Sequence, residues 1–423
     1  MNWLKKYFAQ LRRLSEHRSY RRLLLGGSIS ALGDRVGYIA FLAAITAQSA
    51  DVFAIGGITI AEMLPAVLSL PLVSLVVDRY DRRKLMLLAD LVRAVLFIVV
   101  VVFPQGWLLY VVAFLSASFA MLFDPARQSL EPHYLPEGEI AQAGGIRQGL
   151  MNLVMIVGPA LGGLLVAVFG YRSAFIFDAG SFLISAWMVS GLDHVALNRG
   201  EEHVDSWKEI KGGLEAVRRS PILRHIFGMF AAFTLVIGIQ YPLIFIFVRE
   251  NLHGGTTEAG WLFSAIGIGG IIGGAIIATL KKESTMFDTN TIRGRRNVAA
   301  VIALDGLVVM LFSAFDSLLP VLLFFTVFGF VGTVLVTALI AAVTVQSPAE
   351  SRGRVFALFS AMSGPLIVFS IVIGMPFAKA YGASVVFLVS GALEIVVGAI
   401  TWRASSRSLL DKTRAQFATS SAA

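Results

Sequence analysis

Residues 78–102 read Asp78-Arg-Tyr-Asp-Arg-Arg-Lys-Leu-Met-Leu-Leu-Ala-Asp-Leu-Val-Arg-Ala-Val-Leu-Phe-Ile-Val-Val-Val-Val102. A basic loop is followed by an apolar run interrupted only by Asp90 and Arg93. A helix needs about 20 mostly apolar residues to cross the hydrocarbon core of a bilayer, and 85–103 meets that length. The run is continuous rather than alternating and is too long for a barrel strand. The same unit recurs along the chain. Twelve runs of this kind cover 22–47, 54–77, 85–103, 107–123, 143–168 and 172–192, then 222–248, 258–280, 298–315, 318–345, 355–379 and 383–403. The expected fold class is an all-α polytopic membrane protein with twelve transmembrane helices.

Composition agrees. Of 423 residues, 57% are apolar and 15% charged, and the mean hydropathy is +0.77. Soluble domains carry about a quarter charged residues, so there is too little charge here to solvate a water-exposed surface. Disorder needs low hydrophobicity and is excluded on the same grounds. The 40 glycines suit close helix packing in lipid. There is no cysteine, which excludes disulfides, thiolate zinc sites and a cysteine nucleophile. The net charge of +8 lies in short loops between apolar runs, where it orients the protein; no nucleic-acid partner is expected. The basic N-terminus precedes a long apolar run without an evident small-residue cleavage site, so it does not read as a cleavable signal.

Charge alternates between loops. One set holds Lys5, Lys6, Arg12, Arg13, Arg18, Arg21 and Arg22, then Arg79, Arg82, Arg83 and Lys84, then Arg127, the 193–221 linker, Lys281, Lys282, Arg293, Arg295, Arg296, Arg352, Arg354 and the tail. The other set holds Arg172, Arg249 and Lys379. Basic loops stay in the cytoplasm, which places both termini and the linker there. The expected organisation is an N-terminal six-helix bundle (1–192), a linker (193–221), a C-terminal six-helix bundle (222–403) and a cytoplasmic tail (404–423). In the linker, Trp207, Ile210, Leu214 and Val217 have helical apolar spacing. They read either as a helix lying along the membrane surface or as a solvated connector. The halves repeat weakly: Phe123-Asp-Pro-Ala-Arg127 follows the fourth span of the first, and Val345-Gln-Ser-Pro348 with Ser351-Arg-Gly-Arg354 that of the second. Duplicated six-helix halves are the architecture of secondary transporters that rock about a central site.

Two motifs carry a resemblance. Ser74-Leu-Val-Val-Asp78-Arg79-Tyr-Asp81-Arg82-Arg83-Lys84 resembles the major facilitator superfamily signature G-x-x-x-D-R-x-G-R-R between helices 2 and 3, with Ser74 and Asp81 in place of two glycines. Gly145 with Gly158-Pro159-Ala-Leu-Gly162-Gly163 resembles that superfamily's antiporter motif, with Val154 where a further glycine is usual. Asp78–Arg83, Asp124-Pro-Ala-Arg127, Ala143-Gly-Gly145 and Phe177-Asp178-Ala179 resemble a narrower branch, the macrolide-efflux transporters and enterobactin-type siderophore exporters.

The resemblance implies that the loop after span 2 latches the cytoplasmic side. Asp78 would sit at the start of span 11, where a helix N-terminus stabilises a carboxylate by roughly 0.3–1 kcal/mol. Arg79, Arg82 and Arg83 would complete the gate, with Arg82 paired to Asp124. In such antiporters the glycine-rich part of span 5 packs on the other half. The alternatives are that the basic residues only set topology and that the glycines serve packing alone.

A charge at the bilayer centre costs from about 2.5 kcal/mol upwards, so ionisable residues inside spans are functional candidates. Asp34 and Arg35 lie about twelve residues, roughly 18 Å, into span 1. Asp34 is the leading proton-coupling carboxylate, Glu62 in span 2 the second and Asp178 in span 6 the third, the last with Arg147 as a possible structural partner. Asp90 and Arg93 read as a local i,i+3 pair. Asp305 and Glu394 read as satisfied structural groups. The six histidines fall in loops or near span ends, no cluster has metal-ligand spacing, and no Walker loop is present. Neither a cofactor nor a metal is expected, nor an enzymatic activity. Arg35, Phe41, Asn152, Gln240, Tyr241 and Met362 are candidates for an amphiphilic cavity, together with Phe263 and Phe369. Pro242 would free a carbonyl beside Gln240.

The expected function is proton-coupled export of a small amphiphilic molecule, such as a macrolide-like drug or a siderophore, by a monomer in a lipid bilayer. The rival expectation is a lysophospholipid flippase, which would share the Gly33-Asp34 pair in helix 1.

Overall fold

The computed structural model describes residues 16–49, 51–68, 80–136, 139–195, 206–279, 291–348 and 351–406. The long elements among them are all helices: α1 (Arg18–Gln48), α2 (Val52–Leu68), α3 (Arg82–Val102), α4 (Gly106–Leu130), α5 (Ile140–Phe169), α6 (Tyr171–Ser190), α7 (Ser206–Arg219), α8 (Pro221–Ile237), α9 (Gln240–Glu250), α10 (Thr256–Thr279), α11 (Ile292–Phe312), α12 (Leu318–Gln346), α13 (Arg352–Tyr381) and α14 (Ala383–Ser406). One short 3-10 turn, Glu131–Tyr134, follows α4.

Among the described residues the twelve apolar runs lie on helices, the seventh on two. Ten spans, with 221–250 taken as one, are long and apolar enough to cross a membrane. Within the described residues α2 is a shorter apolar helix, and 69–77, expected to complete it, lie outside them. Helix α11 begins six residues before the expected start, so Arg293, Arg295 and Arg296 are helical. Span 7 is broken between α8 and α9 at Gly238–Ile239. Pro242 stands four residues after Gly238 and has no N–H to give its carbonyl. Span 4 runs past its expected end at Phe123 through Pro125 to Leu130, which brings Arg127 within 2.8 Å of Asp124 and 3.6 Å of Glu131.

The faces of these helices identify their solvent. In α3 the outward stripe is Leu88, Leu91, Val95, Ile98 and Val102, while Asp90 and Arg93 are buried. In α14 Leu388, Leu393, Val396 and Ile400 face out and Glu394 is fully buried. Polar-in and apolar-out inverts what water requires and fits hydrocarbon.

The described residues fall into two compact units. One holds those within Met1–Ala50, Gly57–Asp205 and Gly255–Gly267, the other those within Asp51–Gly56, Ser206–Gly254 and Ile268–Ala423. In the first, α1 packs along α5 and α6, and α3 along α4 and α6. In the second, α11 packs along α12 and α14, and α13 along α7 and α8. The sequence repeat has a backbone counterpart. Gly170 joins α5 to α6 at φ 79° and Gly382 joins α13 to α14 at φ 83°, each with ψ near 165°, a conformation open essentially to glycine alone. One residue turns the chain at the same place in each half.

The linker helix α7 is docked rather than free. Val217 is buried with Ile222, Leu223, Ile226, Val355 and Leu358, so its apolar side covers the start of α13 and the start of α8. Gly212 and Gly213 lie against Arg354, and a Cβ at Gly213 would meet the Arg354 carbonyl carbon at 2.8 Å and Leu358 Cβ at 3.0 Å. Gly213→Leu is therefore expected to weaken this docking by about 1–3 kcal/mol, read as faster tryptic cleavage at Lys211. Gly228→Ala, whose Cβ would meet nothing within 4 Å, should leave that cleavage rate unchanged.

Candidate functional site

The polar centre of the first unit is built on α1, α3, α4 and α6. Gly33 and Gly37 lie one helical turn apart on α1 and leave room for the Asp178 carboxyl of α6: a Cβ at either would strike its oxygens. Asp178 is fully buried. Its Oδ1 accepts from Ser181 Oγ at 3.2 Å, while Oδ2 has no hydrogen-bond partner among the described residues. On α3, the guanidinium of Arg93 pairs with Asp34 of α1. Its Nε donates to Ser116 Oγ of α4 at 3.2 Å, and it stacks over the Phe182 ring of α6 at 4.0 Å. The Arg93 side chain is 2% exposed and that of Asp34 38%, so the ion pair has one dry and one wet member. Asp90, one turn before Arg93, is fully buried and accepts from Ser30 Oγ of α1 at 3.4 Å.

Three carboxyl groups and one guanidinium are thus gathered within one unit. The i,i+3 spacing of Asp90 and Arg93 pointed to a local pair, and the structure corrects it: Arg93 reaches Asp34 and Asp90 reaches Ser30. Asp178 does not pair with Arg147, which lies 3.1 Å from Glu131 instead. Ser116 and Phe182, which hold Arg93, carried no signal of their own. The signal for Arg93 was its charge inside an apolar run. Glu62 of α2 is half-buried and lies within electrostatic reach of Arg35.

The charged end of this unit forms a second network. Arg22 of α1 and Arg83 of α3 both donate to the last carbonyls of α6, at Gly191 and Ser190, where orphan C=O groups and the helix dipole favour cations. Asp81 caps α3, accepting from Lys84 N at 3.1 Å. Ser19 Oγ donates to Asp193 at 2.5 Å. Asp124, exposed, pairs with Arg127 rather than with Arg82, since Arg127 lies on its own helix one turn away. Of the expected gate, Asp78 and Arg79 lie outside the described residues.

The glycines of α5 divide by face. A Cβ at Gly158 would meet the Arg35 side chain, at 3.0 Å for Cγ, and one at Gly162 would meet Val36 Cα at 3.1 Å, both on α1. Gly163 faces the first half of α10, with Phe263 Cβ and Ser264 N at 3.0 Å, and Ser264 Oγ donates to the Ala160 carbonyl at 3.1 Å. Pro159 lies inside α5 between these contacts. Gly145 meets nothing within 4 Å.

The cavity candidates separate. Phe41 is buried in an edge-to-face cluster with Phe97 and Phe175 at 5.3 and 5.0 Å. Phe263 and Gln240 are also buried. Arg35 and Asn152 are exposed, Tyr241 and Met362 half-buried, Phe369 exposed, and Asn152 accepts from Gln148 at 3.0 Å. Among the described residues no group of three or more His, Asp or Glu side chains is placed to hold a metal ion.

The Major Facilitator Superfamily model matches residues 23–293. The putative bacilysin exporter BacE of Bacillus amyloliquefaciens is 27% identical over 87% of this chain and 91% of its own. The multidrug efflux pump Tap of Mycolicibacterium fortuitum is 24% identical over 89% of this chain and 93% of its own. The crystal structure of the nucleoside transporter NupG superposes with a TM-score of 0.64 at 12% identity, covering 90% of this chain and 99% of that one, a likeness of fold.

Proposed function

Because the chain belongs to the Major Facilitator Superfamily, we propose that it is a proton-coupled exporter of amphiphilic organic molecules, macrolide-like drugs or siderophores among them. It would work by alternating access as a monomer in the bacterial inner membrane, with both termini in the cytoplasm. Efflux relatives that align over nearly its full length support the direction and the substrate class.

The observation that carries proton coupling is the Asp34–Arg93 pair, wet on one side and dry on the other. A proton added to the Asp34 carboxyl removes its half of the ion pair. The guanidinium then keeps Ser116 and the Phe182 ring and turns its charge toward the buried carboxyl of Asp178. Protonation thereby changes how strongly α1 is held to α3, α4 and α6, which is the differential free energy that shifts a two-state equilibrium. A cationic or hydrogen-bonding substrate competes for the same carboxylate. Glu62, near Arg35, is the second coupling group, and the loop carrying Asp78, Arg79, Arg82 and Arg83 is the cytoplasmic latch.

The test is accumulation of radiolabelled erythromycin in proteoliposomes under an imposed pH gradient. Wild-type accumulation should follow the gradient, and Asp34→Asn should reduce it to the level of protein-free liposomes. An Asp34→Asn protein whose transport keeps its full dependence on the gradient removes Asp34 from the coupling. Gradient-independent movement of labelled lysophospholipid in place of erythromycin would count for a flippase instead.

A further inference from the structure

The second unit buries a carboxyl pair of its own. Asp305 of α11 and Glu394 of α14 are both fully buried, and their side chains lie within hydrogen-bonding reach of each other. They meet because the two helices touch backbone to backbone. A Cβ at Gly306 would strike the Gly391 carbonyl and Glu394 Cβ, and one at Gly398 would meet the Ala299 carbonyl at 2.7 Å. Gln240, at the start of α9 just beyond the break in span 7, points its amide at the pair. Its Nε2 donates to Glu394 Oε1 at 2.6 Å and to Ser390 Oγ at 3.1 Å.

Hydrogen-bond accounting leaves this place short of donors. Both oxygens of Asp305, Oε2 of Glu394 and Oε1 of Gln240 are buried without a partner among the described residues. Gln240 is itself 2% exposed. Each buried acceptor left unmade costs about 1–3 kcal/mol, and two ionised carboxylates side by side in hydrocarbon cost far more. No cation offsets them: neither carboxyl has an ion-pair partner among the described residues. Helix α12 carries no charged residue. The charged residues of the other helices packed here sit near helix ends: Arg224 and His225 on α8, Arg249 and Glu250 on α9, Arg352, Arg354 and Lys379 on α13 and Arg403 on α14. On α11, Arg296 is nine residues from Asp305, about 13 Å along the axis. A metal cation is a poor occupant, because hard cations need several converging oxygens and here an amide N–H already fills one face of Glu394.

We propose that Asp305 and Glu394 form a proton-binding site in the second unit, oriented by Gln240. One proton from water makes an O–H bond on either carboxyl, lowers the charge of the pair from −2 to −1, and donates to the facing carboxyl oxygen. The proton leaves a hydronium ion, whose O–H bond breaks to give water. The Asp34 centre carries Arg93 to balance charge, whereas this one has no basic partner among the described residues. The proposal rests on the membrane embedding of these helices, not on proton-coupled export.

The experiment is infrared spectroscopy of the full-length protein in liposomes, which needs no transported substrate. At neutral pH the wild type should show protonated-carboxyl C=O absorption that shifts on deuteration and that Asp305→Asn/Glu394→Gln lacks, a loss of at least one carboxyl equivalent. Should the double variant fail to fold, wild-type protein grown with isotope-labelled glutamate and, separately, aspartate reads the same band by its isotope shift. Absorption identical in the double variant and the wild type, or the absence of an isotope-shifted protonated band, overturns the proposal. So does a band displaced when sodium replaces choline in the buffer, which would mark a metal-ion site.

Discussion

Replacing Arg93 with methionine is expected to lower stability by about 1–3 kcal/mol, the cost of leaving buried polar groups without their partner. The size follows from what Arg93 holds. Its side chain is 2% exposed, and it is the basic member of a centre that contains Asp34, Asp90 and Asp178. It also joins four helices, through Asp34 on α1, Ser116 on α4, Phe182 on α6 and its own α3. Methionine matches its length and apolar stem but leaves the carboxyls without a counter-charge. Lysine should recover only part of the loss, since a point charge cannot salt-bridge Asp34, donate to Ser116 and stack flat on Phe182 at once. Thermal unfolding of the purified protein in detergent is the measurement. The double-mutant cycle sharpens it. Arg93→Met/Asp34→Asn should lose less than the sum of the single changes, because the second substitution removes the charge stranded by the first. Additive losses would mean that the pair contributes no coupling and that Arg93 acts by packing alone.

The spans were legible because hydrocarbon imposes a length and forbids charge, and both constraints are written in local sequence. Side-chain pairing was not. Asp34 and Arg93 are 59 positions apart, whereas Asp90 and Arg93 have the spacing of a helical pair; only the packing of α1 against α3 decides between them. Asp305 and Glu394 looked like separate, satisfied residues because their meeting depends on Gly306 and Gly391 letting two backbones touch. Phe41 looked like cavity wall from its type and level in span 1. Its burial depends on Phe97 and Phe175, which arrive from two other helices. Likewise the Asp124–Arg127 bond displaced the expected Asp124–Arg82 contact because span 4 stayed helical through Pro125.

The antiporter-like glycines of α5 should separate sharply when each is changed to alanine. Gly163→Ala places a methyl group against the carbonyl oxygen of Gly260, with Phe263 Cβ and Ser264 N at 3.0 Å. These neighbours are mostly backbone, which cannot rotate aside as a side chain can. The contact is reciprocal: a Cβ on Gly260 would meet the Gly163 carbonyl and Ala167 N, and one on Gly267 would meet Ala160 and the Ile156 carbonyl. Ala160, Gly163 and Ala167 thus face Gly260, Ser264 and Gly267 in an antiparallel seam of small residues, the geometry by which helices associate where lipid supplies no hydrophobic drive. Opening that seam also stretches the 3.1 Å hydrogen bond from Ser264 to the Ala160 carbonyl. Overpacking of this kind costs about 1–3 kcal/mol for one methyl group, and Gly163→Leu should prevent recovery of folded protein. Gly145→Ala has open space instead and exchanges glycine for the best helix former, a gain of up to about 1 kcal/mol. Melting temperatures of the two alanine variants in the same detergent should therefore move in opposite directions. Equal tolerance at both positions would mean that α5 and α10 do not approach this closely in the membrane.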